Sequence, residues 1–263
     1  MEKIGYFLQS IHFFCNWRVY NTKWKGGGLV GFQTVFQRYE IKYRITRAQR
    51  ARITEAIRER MKADAYGVST ICNVYFDTPD HLLIRRSIEK PVYKEKLRLR
   101  SYGKVTPDGI VFLELKKKYK GVVYKRRVAL PEAQAMAYLC HGEKVGDTQI
   151  LRELDYALAY YKDLRPAMYL CYDRQAFYGI DDPHLRLTFD DNVRFREDRM
   201  RLTEEPDGRQ LLPEDTVLME IKTAGAMPLW LADLLTREKI YKSSFSKYGT
   251  AYLERVKEDM YVE

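Results

Sequence analysis

Charged and apolar residues take turns along several stretches of this chain. In Lys94-Glu95-Lys96-Leu97-Arg98-Leu99-Arg100 every even position is cationic, while Leu97 and Leu99 fall on odd ones. Alternate residues of a β-strand share a face, so this spacing predicts a strand with Lys94, Lys96, Arg98 and Arg100 on one side and an apolar face on the other. Arg38, Glu40, Lys42 and Arg44 alternate in the same way with Tyr39, Ile41, Tyr43 and Ile45. Glu114, Lys116 and Lys118 alternate with Leu113, Leu115 and Lys117. The bias continues at Lys125 and Arg127, at Arg174, at Arg186 and Asp190, and at Glu220 and Lys222. A wet sheet face ordinarily mixes both signs; here cations far outnumber carboxylates. Such a face makes sense when it closes around a polyanion.

The pattern predicts strands over about 36–45, 68–77, 83–88, 93–102, 110–119, 122–130, 167–178, 185–196 and 216–223. Pro107-Asp108-Gly109 and Lys120-Gly121 suit hairpin turns between them. Helices are predicted over about 46–61 with Thr46 as cap, 131–140, 149–163 and 228–238, and a last one after 243. The implied fold class is α+β: an antiparallel closed β-barrel, a tunnel, of about eight strands with flanking helices. Gly26-Gly27-Gly28 marks a joint, so residues 1–34 read as an appendage and 35–263 as the domain.

Composition narrows the partners. A formal net charge of +10 over 263 residues favours phosphates, nucleic acid or an anionic membrane surface. Nucleic acid is disfavoured, because aromatics of the first strand lie on the face opposite its cations. Cys15, Cys72, Cys140 and Cys171 are scattered without metal spacing, which suits a reducing, cytoplasmic setting. No run approaches the roughly 18 apolar residues of a membrane span, and Ile4 to Phe14 lacks the flanks of a signal peptide. Gly26-Gly27-Gly28 lacks the Gly-Lys-Ser/Thr of a phosphate-binding loop, and the four histidines show no ligand spacing.

The carboxylates on the cationic faces are Glu40, Glu114, Asp190 and Glu220. They read either as charge balance or as ligands of a hard ion, Mn²⁺ or Mg²⁺, which takes few protein carboxylates and fills its shell with water and phosphate. Glu220, in the apolar strand Leu218-Met219-Glu220-Ile221-Lys222, is the foremost metal candidate; Glu114 and Glu40 follow. No nucleophile is needed, since phosphoryl transfer can run on alignment and charge neutralisation.

In this order these motifs resemble the triphosphate tunnel metalloenzyme superfamily, and within it the VTC-type polyphosphate polymerase domain. The resemblance covers about Phe36 to Tyr252. It is carried by Glu40-Ile41-Lys42, Tyr75-Phe76-Asp77-Thr78, Lys96-Leu97-Arg98-Leu99-Arg100, Glu114-Leu115-Lys116, Lys125-Arg126-Arg127, Tyr172-Asp173-Arg174, Arg186 to Asp190, Met219-Glu220-Ile221-Lys222 and Phe245-Ser246-Lys247-Tyr248. Two positions depart: Arg38 stands where the superfamily has the first Glu of Glu-x-Glu-x-Lys, and Ser244 where eukaryotic members carry a lysine.

The resemblance implies transfer of the γ-phosphate of ATP onto inorganic polyphosphate, with release of ADP. Lys42, Arg98, Arg100 and Glu220 would be catalytic. Lys96, Lys116, Lys125, Arg127, Arg174, Arg186, Lys222 and Lys247 would bind substrate, and Glu220, Glu114 and Glu40 would be the metal ligands. Export of the polymer would need a membrane partner, at the inner face of a membrane. Two rivals stand beside this: a metal-dependent triphosphatase using Glu40 as base, and a non-catalytic module that binds polyphosphate or inositol phosphates.

Overall fold

A computed structural model of the chain describes residues 39–120 and 122–262. The appendage expected at 1–34, and Arg38 with it, lie outside the described residues. Ten strands form one antiparallel sheet: β1 (Tyr39–Thr46), β2 (Met61–Asp77), β3 (Tyr93–Tyr102), β4 (Ile110–Tyr119), β5 (Val122–Pro131), β6 (Arg165–Gly179), β7 (Arg186–Arg196), β8 (Arg209–Gln210), β9 (Thr216–Thr223) and β10 (Lys242–Ser243). Among the described residues six helices accompany them: α1 (Arg47–Ala56), α2 (Leu82–Ile88), α3 (Glu132–His141), α4 (Gln149–Tyr161), α5 (Leu229–Arg237) and α6 (Lys247–Val262).

The order is β10-β1-β9-β7-β6-β2-β3-β4-β5, with β8 beside β7. The expected closed barrel is therefore wrong: among the described residues β10 and β5 are both edges, and no ladder joins them. Two features keep the sheet open. The β10 edge is only two residues long, paired at Lys42↔Ser243 and Tyr43↔Lys242. The free edge of β5 carries Lys125, Arg126 and Arg127, charges that discourage another strand from adding.

Open does not mean flat. Six strand spacings separate β10 from β3, about 29 Å in a flat sheet. Yet Lys96 Nζ on β3 donates to Ser246 Oγ, three residues past β10, at 2.8 Å. The sheet curls until its two halves meet through side chains.

Alternation then sorts the strands into an outer and an inner face. Outside, Val74, Leu97, Leu99, Leu113 and Leu115 pack under Leu151 and Leu154 of α4 and Tyr138 and Leu139 of α3. Farther round, Tyr43, Phe189, Met219 and Ile221 pack under Ile53 of α1 and Leu231, Leu234 and Leu235 of α5. Inside, Ile71, Tyr75, Leu170, Tyr172 and Leu218 meet Ile84 of α2 and Tyr248 and Ala251 of α6. On β7 the alternation slips. Leu187 and Phe189 face outward but Val193 and Phe195 face inward, because a register shift with β6 and the left-handed Asn192 (φ 53°) exchange the faces.

Besides β2, which begins at Met61 rather than Val68, two local elements differ from the sequence expectation. Residues 83–88, expected as a strand, form helix α2. The buried Asp77 accepts from the backbone N–H groups of Leu83 (2.8 Å) and Ile84 (3.0 Å), and Thr78 Oγ1 from that of Leu82 (2.9 Å), which starts a helix instead. The first helix ends at Ala56 rather than near Met61. Its start is as expected, with Thr46 and Gln49 in a reciprocal cap at 3.1 and 3.0 Å.

Candidate functional site

Three buried carboxylates organise the cations of the inner face. On β3–β5 the register Arg98↔Glu114↔Arg127 makes Glu114 the centre. Arg98 Nε and Nη2 lie 2.9 and 2.8 Å from its Oε2, and Arg127 Nε and Lys125 Nζ lie 2.6 and 2.7 Å from its Oε1. The Glu114 side chain is 1% exposed, and a charge so buried persists only when paired. Burial pushes its pKa up, but Arg98, Arg100 and Lys125 outweigh that and hold it far below the usual range.

The second centre is Asp190 on β7, fully buried. Arg174 grips it with two bonds of 2.6 and 2.7 Å, and Lys247, at the start of α6, joins it. Arg174 and Lys247 both lie over the Tyr172 ring, at 5.2 and 4.4 Å. Between the two centres, Arg100 donates to Asn73 Oδ1 (3.0 Å) and Tyr172 Oη (3.2 Å), and Arg98 to Tyr75 Oη (2.9 Å). Burial raises the pKa of both phenols, yet Arg98 and Lys96 at Tyr75, and Arg100, Arg174 and Lys247 at Tyr172, leave each lowered.

The third centre is Glu220 on β9. Lys42 faces it across one rung, with Nζ 3.2 Å from Glu220 Oε1 and also 3.2 Å from Glu40 Oε1. Lys222 and Arg174 stand 3.5 and 3.9 Å from Glu220 Oε2. Burial disfavours the Glu220 anion, but Lys247, Lys42, Lys222 and Arg174 outweigh it and hold the pKa well down. The same balance raises Lys42: burial opposes its charge, and Glu220 and Glu40 more than restore it.

One sequence profile accounts for this succession of motifs: the VTC domain matches residues 37–254. The chain belongs to the VTC domain family. That membership brings a coarse reading with it, a divalent-metal-dependent phosphoryl-transfer family that handles nucleoside triphosphate and polyphosphate. Among solved structures, a candidate adenylate cyclase from Vibrio parahaemolyticus is similar at 12% identity and a TM-score of 0.45, over 84% of this chain and 99% of its own. The PH1819 protein from Pyrococcus horikoshii OT3 is similar at 15% identity and 0.41, over 82% and 99%. Neither likeness is strong enough to bear on what this VTC domain does. No curated protein matches the chain. No described helix is long and apolar enough to cross a membrane.

The VTC domain brings most of the expected residues onto one face. Lys96 and Lys116 complete the inner set, and Glu40 and Lys42 influence Lys116 electrostatically across the curl. Arg186 stands apart at the rim, half-exposed, with its nearest carboxylate Asp64 at 3.8 Å. Among the described residues no group of three or more His, Cys, Asp or Glu side chains could hold a metal. A hard ion that shares its shell with phosphate needs fewer. Glu40 and Glu220, converging on the Lys42 ammonium, fit that requirement with Lys42 displaced; both Glu220 oxygens face cations, as both Glu114 oxygens do, but at 3.2 to 3.9 Å against 2.9 Å or less.

Sequence reasoning gave no site role to Asn73, Tyr75, Tyr172, Thr188 or Ser246, although Tyr75, Tyr172 and Ser246 stand in its motifs. Parity could have found some of them: Tyr172 lies two residues from Arg174, and Asn73 and Tyr75 two apart, each pair on one face. Thr188 Oγ1 faces the same row as Lys42 and Glu220, is buried and has no hydrogen-bond partner among the described residues. Only the fold reveals that.

Proposed function

We propose that this VTC domain is a polyphosphate polymerase, moving the γ-phosphate of ATP onto a growing polyphosphate chain. The observation that supports the reading is the convergence of Lys42, Arg98, Arg100, Lys116, Lys125 and Arg174 on one inner face, steadied by buried Glu114 and Asp190. An arginine has five N–H donors, so its hold on a carboxylate leaves others for phosphate oxygens. Arg127, Lys247, Lys222 and the rim Arg186 extend the cationic surface.

In the proposed step an oxygen of the acceptor's terminal phosphate attacks the γ-phosphorus. The bond from that phosphorus to the β–γ bridging oxygen breaks, and ADP leaves with the oxygen. Arg98, Arg100 and Arg174 align the two phosphate groups, and Lys42 and Lys116 offset charge on the transferring group. Mn²⁺ or Mg²⁺ held by Glu220 and Glu40 would supply further neutralisation of the phosphate oxygens. The acceptor oxygen is already anionic, so no base is required. Hydrolysis would need one, and Glu40 is engaged by Lys42. Polymer destined for another compartment would pass to a membrane partner.

The test incubates purified protein with ATP and Mn²⁺, with and without a short polyphosphate primer, beside Glu220→Ala. A ladder of polymer with matching ADP, lost in the variant, is expected. Free phosphate without polymer would make the protein a triphosphatase. Bound ATP or polyphosphate with no turnover would make it a binding module.

A further inference from the structure

Two rungs of the β3–β4 ladder set lysine directly opposite lysine: Lys94 faces Lys118, and Lys96 faces Lys116. Like charges so placed destabilise a sheet. Alternation puts both rungs on the inner face, while Glu95 and Lys117 between them form an ion pair on the outer one. Toward the other end Glu114 of β4 pairs with Arg98 of β3 and with Lys125 and Arg127 of β5. Among the described residues none of the four rung lysines has a carboxylate in ion-pair contact. Lys94 Nζ donates to the neutral Ser87 carbonyl at 3.0 Å and Lys96 Nζ to Ser246 Oγ at 2.8 Å. Burial first, then Lys118, Lys90 and Lys116, depress the Lys94 pKa, which places Lys90 in the same field.

Glu40 acts on Lys116 from across the curl, but the outer rung, Lys94 with the exposed Lys118, has no carboxylate in contact among the described residues and lies open to an external anion. The length of the face says which. From Arg100 to Lys94 the cationic face of β3 runs about 20 Å, farther than a triphosphate reaches and suited to a linear chain of phosphates.

We propose that Lys94 and Lys118, continued inward by Lys96 as far as Lys116 at the transferring phosphate, form a chain subsite that holds the distal phosphates of linear polyphosphate, beyond the triphosphate site at Arg98, Arg100 and Arg174. This rests on the polymerase reading. It also sets a direction, with the polymer leaving along the Lys94 end of β3.

The test titrates the full chain calorimetrically with inorganic triphosphate, long linear polyphosphate and a single-stranded oligonucleotide of similar charge. Wild type is compared with Lys94→Ala/Lys118→Ala and Lys94→Gln/Lys118→Gln. Both variants should lose about tenfold or more in polyphosphate affinity, while triphosphate affinity stays within about twofold. Their melting temperatures without ligand should not fall, because repulsion has been removed. Equal loss for both phosphate probes, or loss for neither, overturns the subsite. An oligonucleotide that binds as tightly as polyphosphate and weakens in parallel makes it a general anion patch, which also overturns it. A wild type that binds neither phosphate probe would instead overturn the polymerase reading, and the subsite with it.

Discussion

Lys42 and Glu220 face each other across a single rung of β1 and β9, with Nζ 3.2 Å from Oε1, and the same ammonium lies 3.2 Å from Glu40. Lys42 therefore competes with any cation for two carboxylates. Lys42→Met should bind Mn²⁺ more tightly, since both carboxylates lose their competitor. It should also lose about 10²–10³ in kcat, as expected when one fixed positive partner of the transferring group is removed. Manganese titration followed by paramagnetic resonance reads the first effect; unchanged affinity would place the metal elsewhere.

Glu114→Ala leaves Arg98, Lys125 and Arg127 without their shared anion. Losing one partner of a buried ion pair costs about 3–5 kcal/mol. Lys125 and Arg127 are 43% and 34% exposed, so solvent screens part of that and the lower end applies. Urea unfolding measures it, and excess inorganic triphosphate should restore part of the loss by supplying the missing anion. A variant as stable as wild type would show that the cations do not depend on Glu114.

Lys96 and Lys125 carry the pH dependence, since burial and neighbouring cations push both down to about 8. At Lys96 burial, with the like charges of Lys116, Lys42 and Lys94, outweighs Tyr75. Each is a cation below that value, so phosphate affinity should be full there and weaken as pH rises through about 8. Stability without ligand should move the other way. Between about 8 and the ordinary lysine value the unfolded chain binds more protons, so stability rises with pH. Lys96→Met should shrink both curves and Lys96→Met/Lys125→Met should flatten them, and a profile that keeps its shape in the double variant would assign the titration to another group.

Thr188→Val tests an unused hydroxyl. Thr188 is 5% exposed and its Oγ1 has no partner among the described residues, so an apolar replacement of the same shape removes a buried polar group. The gain should be about 1 kcal/mol in urea unfolding without ligand. A loss of stability would mean that the hydroxyl is hydrogen-bonded after all.

Asp77→Ala should cost about 2–4 kcal/mol, combining a lost helix cap with backbone donors left unpaired in the core. Asp77 also accepts from Tyr248 Oη at 2.9 Å, so the variant loosens α6 as well as α2. Hydrogen exchange at Leu83 and Ile84 locates the change; protection equal to wild type at both amides would rule it out.

Period-two charge alternation determined a great deal by itself. It marked β1, β3, β4 and β9, sorted Arg98 and Arg100 from Leu97 and Leu99, and placed Glu40, Glu114, Asp190 and Glu220 among cations. It could do so because a strand's faces are a local property, set by the backbone at each residue. What lies across the sheet is not local. That Lys96 meets Ser246, that Lys42 stands between Glu40 and Glu220, and that β5 and β10 stay unpaired all follow from how far the sheet curls. The slip at Asn192, which turns Val193 and Phe195 inward, follows from the register between β6 and β7. Residues 83–88 read as a strand because their helix is started by Asp77 and Thr78 from outside the segment. Curl, register and capping from a distance are settled by packing between segments far apart in the chain, and only the folded sheet could decide them.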